Sequence, residues 1–300
     1  MEGISLLLVD LIHRPDEVSS TLPGVARKRI RIESGASGGE KHNSHNMEDA
    51  VGVLDGKVAI VTGAGKGIGQ AEAVALAKEG ASVMICDYAD YSETLGKLEE
   101  ISGADKAAGM NCDVRKTAEV KAVVTEAVKR FGTVDILVNN AQKLSMPHDF
   151  EDWTEEEMRE QWESGPLGTW LFMQNCLPYM KESGGRIINT SSSAGYAGYP
   201  GYSCYGAAKE AIRSITRSAA KEWGKYNITV NSISPAALTS GAAGAMDEEA
   251  KTQLVAAFAL GRWGDPDNDI ARVVVFLAGP DSSFMTGNTV CVDGGLAMLV

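Results

Sequence analysis

Short runs of apolar and β-branched residues recur along the chain from residue 57: Val58–Thr62, Ser82–Cys86, Ala107–Cys112, Val134–Val138, Gly185–Thr190, Ile228–Ile233 and Asn288–Val292. Between them, segments such as Ala71–Glu79, Lys116–Arg130 and Ala207–Lys225 place apolar residues at helical spacing. Such alternation signals βαβ units, a parallel sheet with helices on both faces. Right-handed crossovers restrict the topology further, to a doubly wound, Rossmann-type α/β sheet. No internal repeat and no linker interrupts residues 57–300, so residues 51–300 are expected to form a single domain.

The first 50 residues read differently. Arg27, Lys28, Arg29 and Arg31 form a small basic cluster, and residues 33–46 (ESGASGGEKHNSHN) contain almost no apolar side chain. A stretch of that kind cannot bury enough surface to fold alone. Residues 1–50 are therefore expected to be disordered, or an extension preceding a start at Met47; a regulatory or targeting arm is the alternative.

Composition alters the picture only at its edges. With 44% hydrophobic and 23% charged residues the chain is ordinary for a globular protein. A net charge of −12 argues against nucleic acid as a partner. The five cysteines, at 86, 112, 176, 204 and 291, form no CxxC pair and fit reduced thiols, mostly as small core residues. The four histidines form no HExxH pattern, and His42 and His45 fall in the polar stretch, so no metal site is expected. No apolar run reaches membrane-spanning length, and Ile4–Val9 lacks the basic flank of a signal peptide. The expectation is a cytoplasmic protein without a membrane partner.

Chemistry enters at the first strand, which runs into Thr62-Gly63-Ala64-Gly65-Lys66-Gly67-Ile68-Gly69 and then a helix. Glycines there let the backbone turn tightly against a pyrophosphate, and the helix N-terminus supplies free N–H groups and a positive dipole end. Asp87, 18 residues beyond Gly69, stands where an acid would accept from adenosine ribose hydroxyls and repel a 2′-phosphate. NAD is thus expected over NADP, with Lys66 as the counter-argument. Further along, Tyr205 and Lys209 are four apart and share one helix face, where the ammonium is expected to lower the phenol pKa. Ser192, just past the strand ending at Thr190, can hydrogen-bond the substrate oxygen that Tyr205 protonates or deprotonates.

From about residue 55 to 295 the chain resembles the short-chain dehydrogenase/reductase family. The resemblance rests on the Thr62–Gly69 turn, Asp113-Val114, Asn139-Asn140-Ala141, Ser192, Tyr205, Lys209, Asn231 to Pro235, and the closing Thr286-Gly287-Asn288 and Asp293-Gly294-Gly295. It implies a seven-stranded parallel sheet, with Asp113 and Val114 near the adenine and Asn139 near the cofactor ribose. It also implies Lys209 on the nicotinamide ribose, Ser192 positioning the substrate oxygen, Tyr205 as acid/base, and a homotetramer or homodimer. The four-residue Tyr–Lys spacing points to the dehydrogenase branch and speaks against the enoyl reductases.

Three positions depart from the family pattern. Gly165 stands where the family has a catalytic Asn. Pro166 next to it lacks an N–H, so a kinked helix is expected to keep the local distortion and its water without the amide. Gln142 replaces a Gly after Ala141 and is expected to serve the turn. Ala236 replaces a Gly after Pro235 in the loop at the nicotinamide end, where Thr239 or Ser240 could bond the carboxamide.

Tyr196, Tyr199 and Tyr202, with a lid over Leu238–Phe258, suggest an apolar pocket or packing against another subunit, while Trp153, Trp162 and Trp170 are expected to anchor their helix. The leading reading is an NAD-linked alcohol dehydrogenase or ketone reductase with a small-molecule substrate. Its rivals are an NADP-linked 3-oxoacyl reductase and a non-catalytic NAD-binding protein.

Overall fold

A strand sandwiched between two helix layers needs apolar side chains at nearly every position, and β1 (Val58–Thr62, VAIVT) is buried throughout. The computed structural model describes residues 52–143, 147–238, 252 and 255–299. Within them β1 is joined by β2 (Ser82–Asp87), β3 (Ala107–Asn111), β4 (Ile136–Asn139), β5 (Gly185–Thr190), β6 (Ile228–Pro235) and β7 (Thr289–Val292). All pair in parallel, in one seven-stranded sheet of order β3-β2-β1-β4-β5-β6-β7. The doubly wound Rossmann sheet and its strand number are as expected, with bounds shifted by a residue or two. The expectations for residues 1–50, for Thr239 and Ser240, and for most of the Leu238–Phe258 lid lie outside the described residues.

Alternate strand residues feed two cores. Ala59, Val61, Ile85, Val138 and Ile188 pack with α1 (Gly67–Lys78), α2 (Ser92–Ser102) and α8 (Ala271–Ala278). Ile60, Met84, Leu137 and Ile187 pack on the other face with α3 (Thr117–Phe131), α5 (Gly168–Met180) and α7 (Ser203–Trp223). Helix α1 begins at Gly67, ahead of the periodic segment at Ala71, because a glycine-rich first turn has no apolar side chains to register. Helix α4 (Glu155–Trp162) opens on a capping box between Thr154 and Glu157.

The second core is crossed by a polar row. Thr62, Asn139, Asn189, Ser232 and Thr289 stand in register on successive strands. Asn139 donates to Asn189 Oδ1 at 2.9 Å, and Asn189 donates to Thr216 Oγ1 of α7 at 2.9 Å. Ser232 pairs with Thr289 at 2.9 Å, and Arg213 of α7 donates to Thr289 Oγ1 at 3.1 Å. Buried polar groups without partners cost stability, so such pairs specify where α7 lies on the sheet.

Candidate active site

The strand order reverses between β1 and β4, which opens a crevice beyond their C-terminal ends. The glycine turn lies there. Gly63 and Gly67 both have φ of +64°, in the left-handed region. A Cβ at Gly63 would lie 2.8 Å from the Ala141 Cα, and one at Gly69 2.4 Å from the Gly63 carbonyl oxygen. Asn140 braces the turn by donating to the carbonyls of Thr62 and Gly63 at 3.1 and 2.9 Å, and Thr62 Oγ1 accepts from the N–H groups of Asn140 and Ala141. Sequence reasoning placed Asn139 and Ala141 at the cofactor but gave no role to Asn140 and Thr62, whose part is visible only when β1 and β4 are adjacent.

The turn fits a pyrophosphate. The N-terminus of α1 has no side-chain cap and no acidic residue in its first turn, unlike that of α4, which has three glutamates there. Its N–H groups are thus free for an anion. Ile68, in that first turn, packs against the first core. At the end of β2, Asp87 Oδ2 accepts from the Gly65 N–H at 2.8 Å and Oδ1 from the Ala89 N–H at 3.0 Å. The Asp90 carbonyl oxygen is 2.7 Å from where a Gly65 Cβ would be. Lys66 is exposed. One strand further out, Arg115 holds the Asp113 carboxylate in two hydrogen bonds of 2.9 and 2.7 Å, which lower its pKa. Val114 packs on Gly168, its Cγ2 2.9 Å from a would-be Cβ there. Asn139 is buried, and its Oδ1 accepts no hydrogen bond among the described residues. Pro235 ends β6, and Ala236 is locked to β7 through the Val292 carbonyl at 3.0 Å. Ala236 needs no glycine-like backbone, since among the described residues Asn227 is the one non-glycine with positive φ.

Ser192, Tyr205 and Lys209 converge at the end of β5. Ser192 caps α6 (Ser193–Ala197) by accepting from the Ala194 N–H at 3.2 Å, and its hydroxyl is near enough to the Tyr205 phenol to oppose the rise in that group's pKa. Tyr205 and Lys209 lie in the first two turns of α7, with the Lys209 ammonium 5.5 Å from the Tyr205 ring centroid. Lys209 is 3% exposed and donates to the Thr190 carbonyl at 2.7 Å. Gly206 lets α6 and α7 meet, because a Cβ there would be 2.6 Å from the Ala194 carbonyl oxygen.

The electrostatics correct one expectation. Lys209 was expected to lower the Tyr205 pKa; instead burial pushes Tyr205 up to about 12, against the opposing pull of the Ser192 hydrogen bond. Burial likewise pulls Lys209 down to about 7, against the raising effect of Glu72. The cation sits over the ring face rather than at the hydroxyl, so desolvation of each charged form wins. Glu72, on α1, was not foreseen at all: it is fully buried, neither carboxylate oxygen has a hydrogen-bond partner among the described residues, and burial raises its pKa to about 8 against the charge of Lys209.

Between α4 and α5 the helix is distorted as Pro166 predicts, into a π turn over Glu163–Leu167. The Gly168 N–H reaches the Glu163 carbonyl, five residues back. Ser164 bonds back to the Glu160 carbonyl at 2.6 Å and accepts from the Lys143 N–H at 3.2 Å, while the Lys143 ammonium pairs with Glu160. Gln142 does more than serve its turn. A Cβ at Gly165 would lie 2.8 Å from its Cδ and Oε1, and its Nε2 donates to Gln161 Oε1 at 3.2 Å.

The aromatic expectations need correction too. Trp162 and Trp170 are 48% and 45% exposed, so they do not anchor their helices; Trp153 packs edge-on against His148 instead. The Tyr196 hydroxyl is taken up by Ser234 and Cys291, at 3.2 and 3.3 Å. Cys291 is correspondingly half-buried, while the other four cysteines are core residues.

Comparison with known proteins extends this picture. Residues 63–297 match the family model described as enoyl-(acyl carrier protein) reductase. The chain is 38% identical over 255 residues to the 12alpha-hydroxysteroid dehydrogenase of Clostridium sp., covering 82% of this chain and 98% of that protein. It is 36% identical over 248 residues to the 3-oxoacyl-acyl-carrier-protein reductase FabG of Staphylococcus aureus, covering 81% and 98%. Among solved structures, levodione reductase superposes with a TM-score of 0.76 at 31% identity, covering 81% of this chain and 98% of that one. The family model bears the name of the enoyl reductases, the branch that the Tyr205–Lys209 spacing was expected to exclude. These likenesses extend over nearly the whole length of the relatives, and the protein therefore belongs to the short-chain dehydrogenase/reductase family, as an NAD(P)-dependent oxidoreductase acting on CH–OH and keto groups.

Proposed function

We propose that the protein transfers hydride between NAD and a secondary alcohol or its ketone, with Tyr205 as the acid/base. The observation that carries this reading is the grouping at the end of β5 of Ser192, Tyr205 in the first turn of α7, and a buried Lys209 whose ammonium lies 5.5 Å from the Tyr205 ring centroid and donates to the Thr190 carbonyl at 2.7 Å. Gly63, Gly65, Gly67 and Gly69 would cradle the pyrophosphate on the α1 N-terminus, with Asp87 on the adenosine ribose. Asp113, Val114, Asn139, Ala141, Pro235 and Thr239 complete the proposed cofactor contacts. When bound, the nicotinamide supplies or takes the hydride and, in its oxidised form, brings a positive charge.

The side chains handle the proton. In ketone reduction the Tyr205 Oη–H gives its proton to the substrate oxygen that Ser192 holds; in alcohol oxidation Tyr205 Oη takes it back. A phenol pushed up to about 12 is fully protonated at neutral pH, which suits it to reduction. Oxidation needs a nearby positive charge to lower that value. The preference for NAD is supported by the Asp87 carboxylate on the Gly65 N–H, since a 2′-phosphate there would face its negative charge. The likeness to a 3-oxoacyl reductase, together with the exposed Lys66, favours the NADP-linked reading as the second choice. Among the described residues no helix is long and apolar enough to cross a membrane. Our reading places the protein in the cytoplasm as a dimer or tetramer, with the exposed Met158, Trp162 and Trp170 as candidates for cover by another copy.

The test mixes the purified full chain with NAD or NADP and panels of secondary alcohols and ketones, following reduced nicotinamide by absorbance. Turnover faster with NAD, falling about 10²- to 10⁴-fold in Tyr205→Phe while cofactor affinity is kept, is the expected result. Absence of binding to either dinucleotide would overturn the reading, and NADP preference would move it to the second.

A further inference from the structure

Position 165 is a hole in the π turn, and the hole is filled from outside. The Gln142 carboxamide, on the loop after β4, lies so close that a Cβ at Gly165 would be within 2.8 Å of its Cδ and Oε1 and 3.0 Å of its Nε2. One side of that amide is anchored, Nε2 donating to Gln161 Oε1, and Gln161 is fully buried. The other side is not: Gln142 Oε1 is buried and accepts no hydrogen bond among the described residues. A buried acceptor left unmet is destabilising, so such an atom persists where a donor arrives from water or ligand.

The location gives this pair its meaning. Gln142 directly follows Ala141, whose Cα lies against Gly63 of the phosphate turn. The π turn in which Gly165 sits packs on α7, the helix of Tyr205 and Lys209. Lys143, the next residue, ties the same loop to the π turn through the Ser164 hydroxyl. Gln142 is thus a strut between the cofactor crevice and the segment on which α7 rests.

We infer that Gln142 and Gly165 act as one unit: Gln142 is a positioning residue that fills the π turn, sets its seat on α7 and offers Oε1 to a water beside the catalytic groups. The inference rests on the hydride-transfer reading above. Position 165 is glycine because the amide comes from the loop instead of from the turn itself. Any side chain at 165 evicts that amide, and because Gln142 is flexible at its far end, eviction costs function more than folding.

A double-mutant cycle on the full chain, in saturating cofactor, separates this from simple packing. Gln142→Met keeps the length and removes both polar atoms. It is expected to lower kcat about 10- to 100-fold, with KM within about twofold, and to shift the midpoint of the kcat–pH profile. Gly165→Ala is expected to lower kcat by a similar factor, and Gly165→Ala added to Gln142→Met to cost nothing further, because the amide is already gone. Losses that multiply would overturn the inference, as would wild-type kcat and pH profile in Gln142→Met. A rise in KM alone would also overturn it, by making Oε1 a direct substrate contact. Thermal unfolding of the same four proteins without cofactor keeps the two readings apart. If the wild type turns over no faster than Tyr205→Phe, the hydride-transfer reading has failed. A lost kcat coupling in an otherwise active enzyme fails this inference alone.

Discussion

A single carboxyl, Glu72, illustrates how burial acts residue by residue. Its folded pKa of about 8 lies above the ordinary 4.5, so the folded chain keeps a proton that the unfolded chain releases. Stability from this group is complete below the unfolded value and is lost as pH rises through about 8. Lys209 runs the other way: lowered from 10.5 to about 7, it makes the folded state give up a proton that the unfolded chain retains, so stability is regained as pH climbs from about 7 towards 10.5. Glu72→Leu should therefore raise Tm by about 2–4 °C or more at pH 8, and by less at pH 5. An equal Tm difference at both pH values, measured by calorimetry, would show that Glu72 does not carry the linkage. Nothing in the residues around Glu72 marks it, because GQAEAVALA reads as an ordinary small-residue helix start. Its burial comes from the elements that pack on α1 once the fold is assembled.

At the scale of elements, the geometry of the proposed catalytic group depends on how closely two helices approach. Gly206 stands between Tyr205 and the second turn of α7, and a Cβ there would be 2.6 Å from the Ala194 carbonyl oxygen and 3.2 Å from its carbonyl carbon. Both are backbone atoms, so α6 itself would have to move, and with it Ser192. Gly206→Ala is expected to destabilise by about 1–3 kcal/mol in urea unfolding and to lower kcat at least tenfold. Gly96, exposed within α2 with nothing within 4 Å of its would-be Cβ, is the control. There the same substitution should stabilise by roughly 0.5–1 kcal/mol with kcat unchanged. If the two substitutions gave the same effect, close approach would not be what Gly206 provides. Tyr205 and Lys209 could be read as one helical face from spacing alone. That Gly206 meets Ala194 could not, since nothing in the pattern says which way α6 returns.

For the whole molecule, the boundary near residue 50 matters most. The family model begins at residue 63, and relatives are covered over 98% of their length by 81–82% of this chain. What precedes Gly52 lies outside the described residues. A chain starting at Met47 is expected to keep kcat/KM within about twofold of the full chain, and its Tm as well. A large loss of either would give the polar arm a part in the fold or the site.

The sequence alone determined what local patterns can encode: the βαβ alternation, the glycine turn, Asp87 at the end of β2, the Tyr205–Lys209 face and the break at Pro166. Each depends on residues near one another along the chain, where strand period, helix period and backbone freedom act directly. Tertiary structure decided the rest. The polar row from Thr62 to Thr289, the raised Tyr205 and lowered Lys209, the burial of Glu72 and the arrival of Gln142 at Gly165 all join residues from different elements. Desolvation and close packing are properties of what surrounds a group once the sheet is assembled, and no window along the chain contains those surroundings.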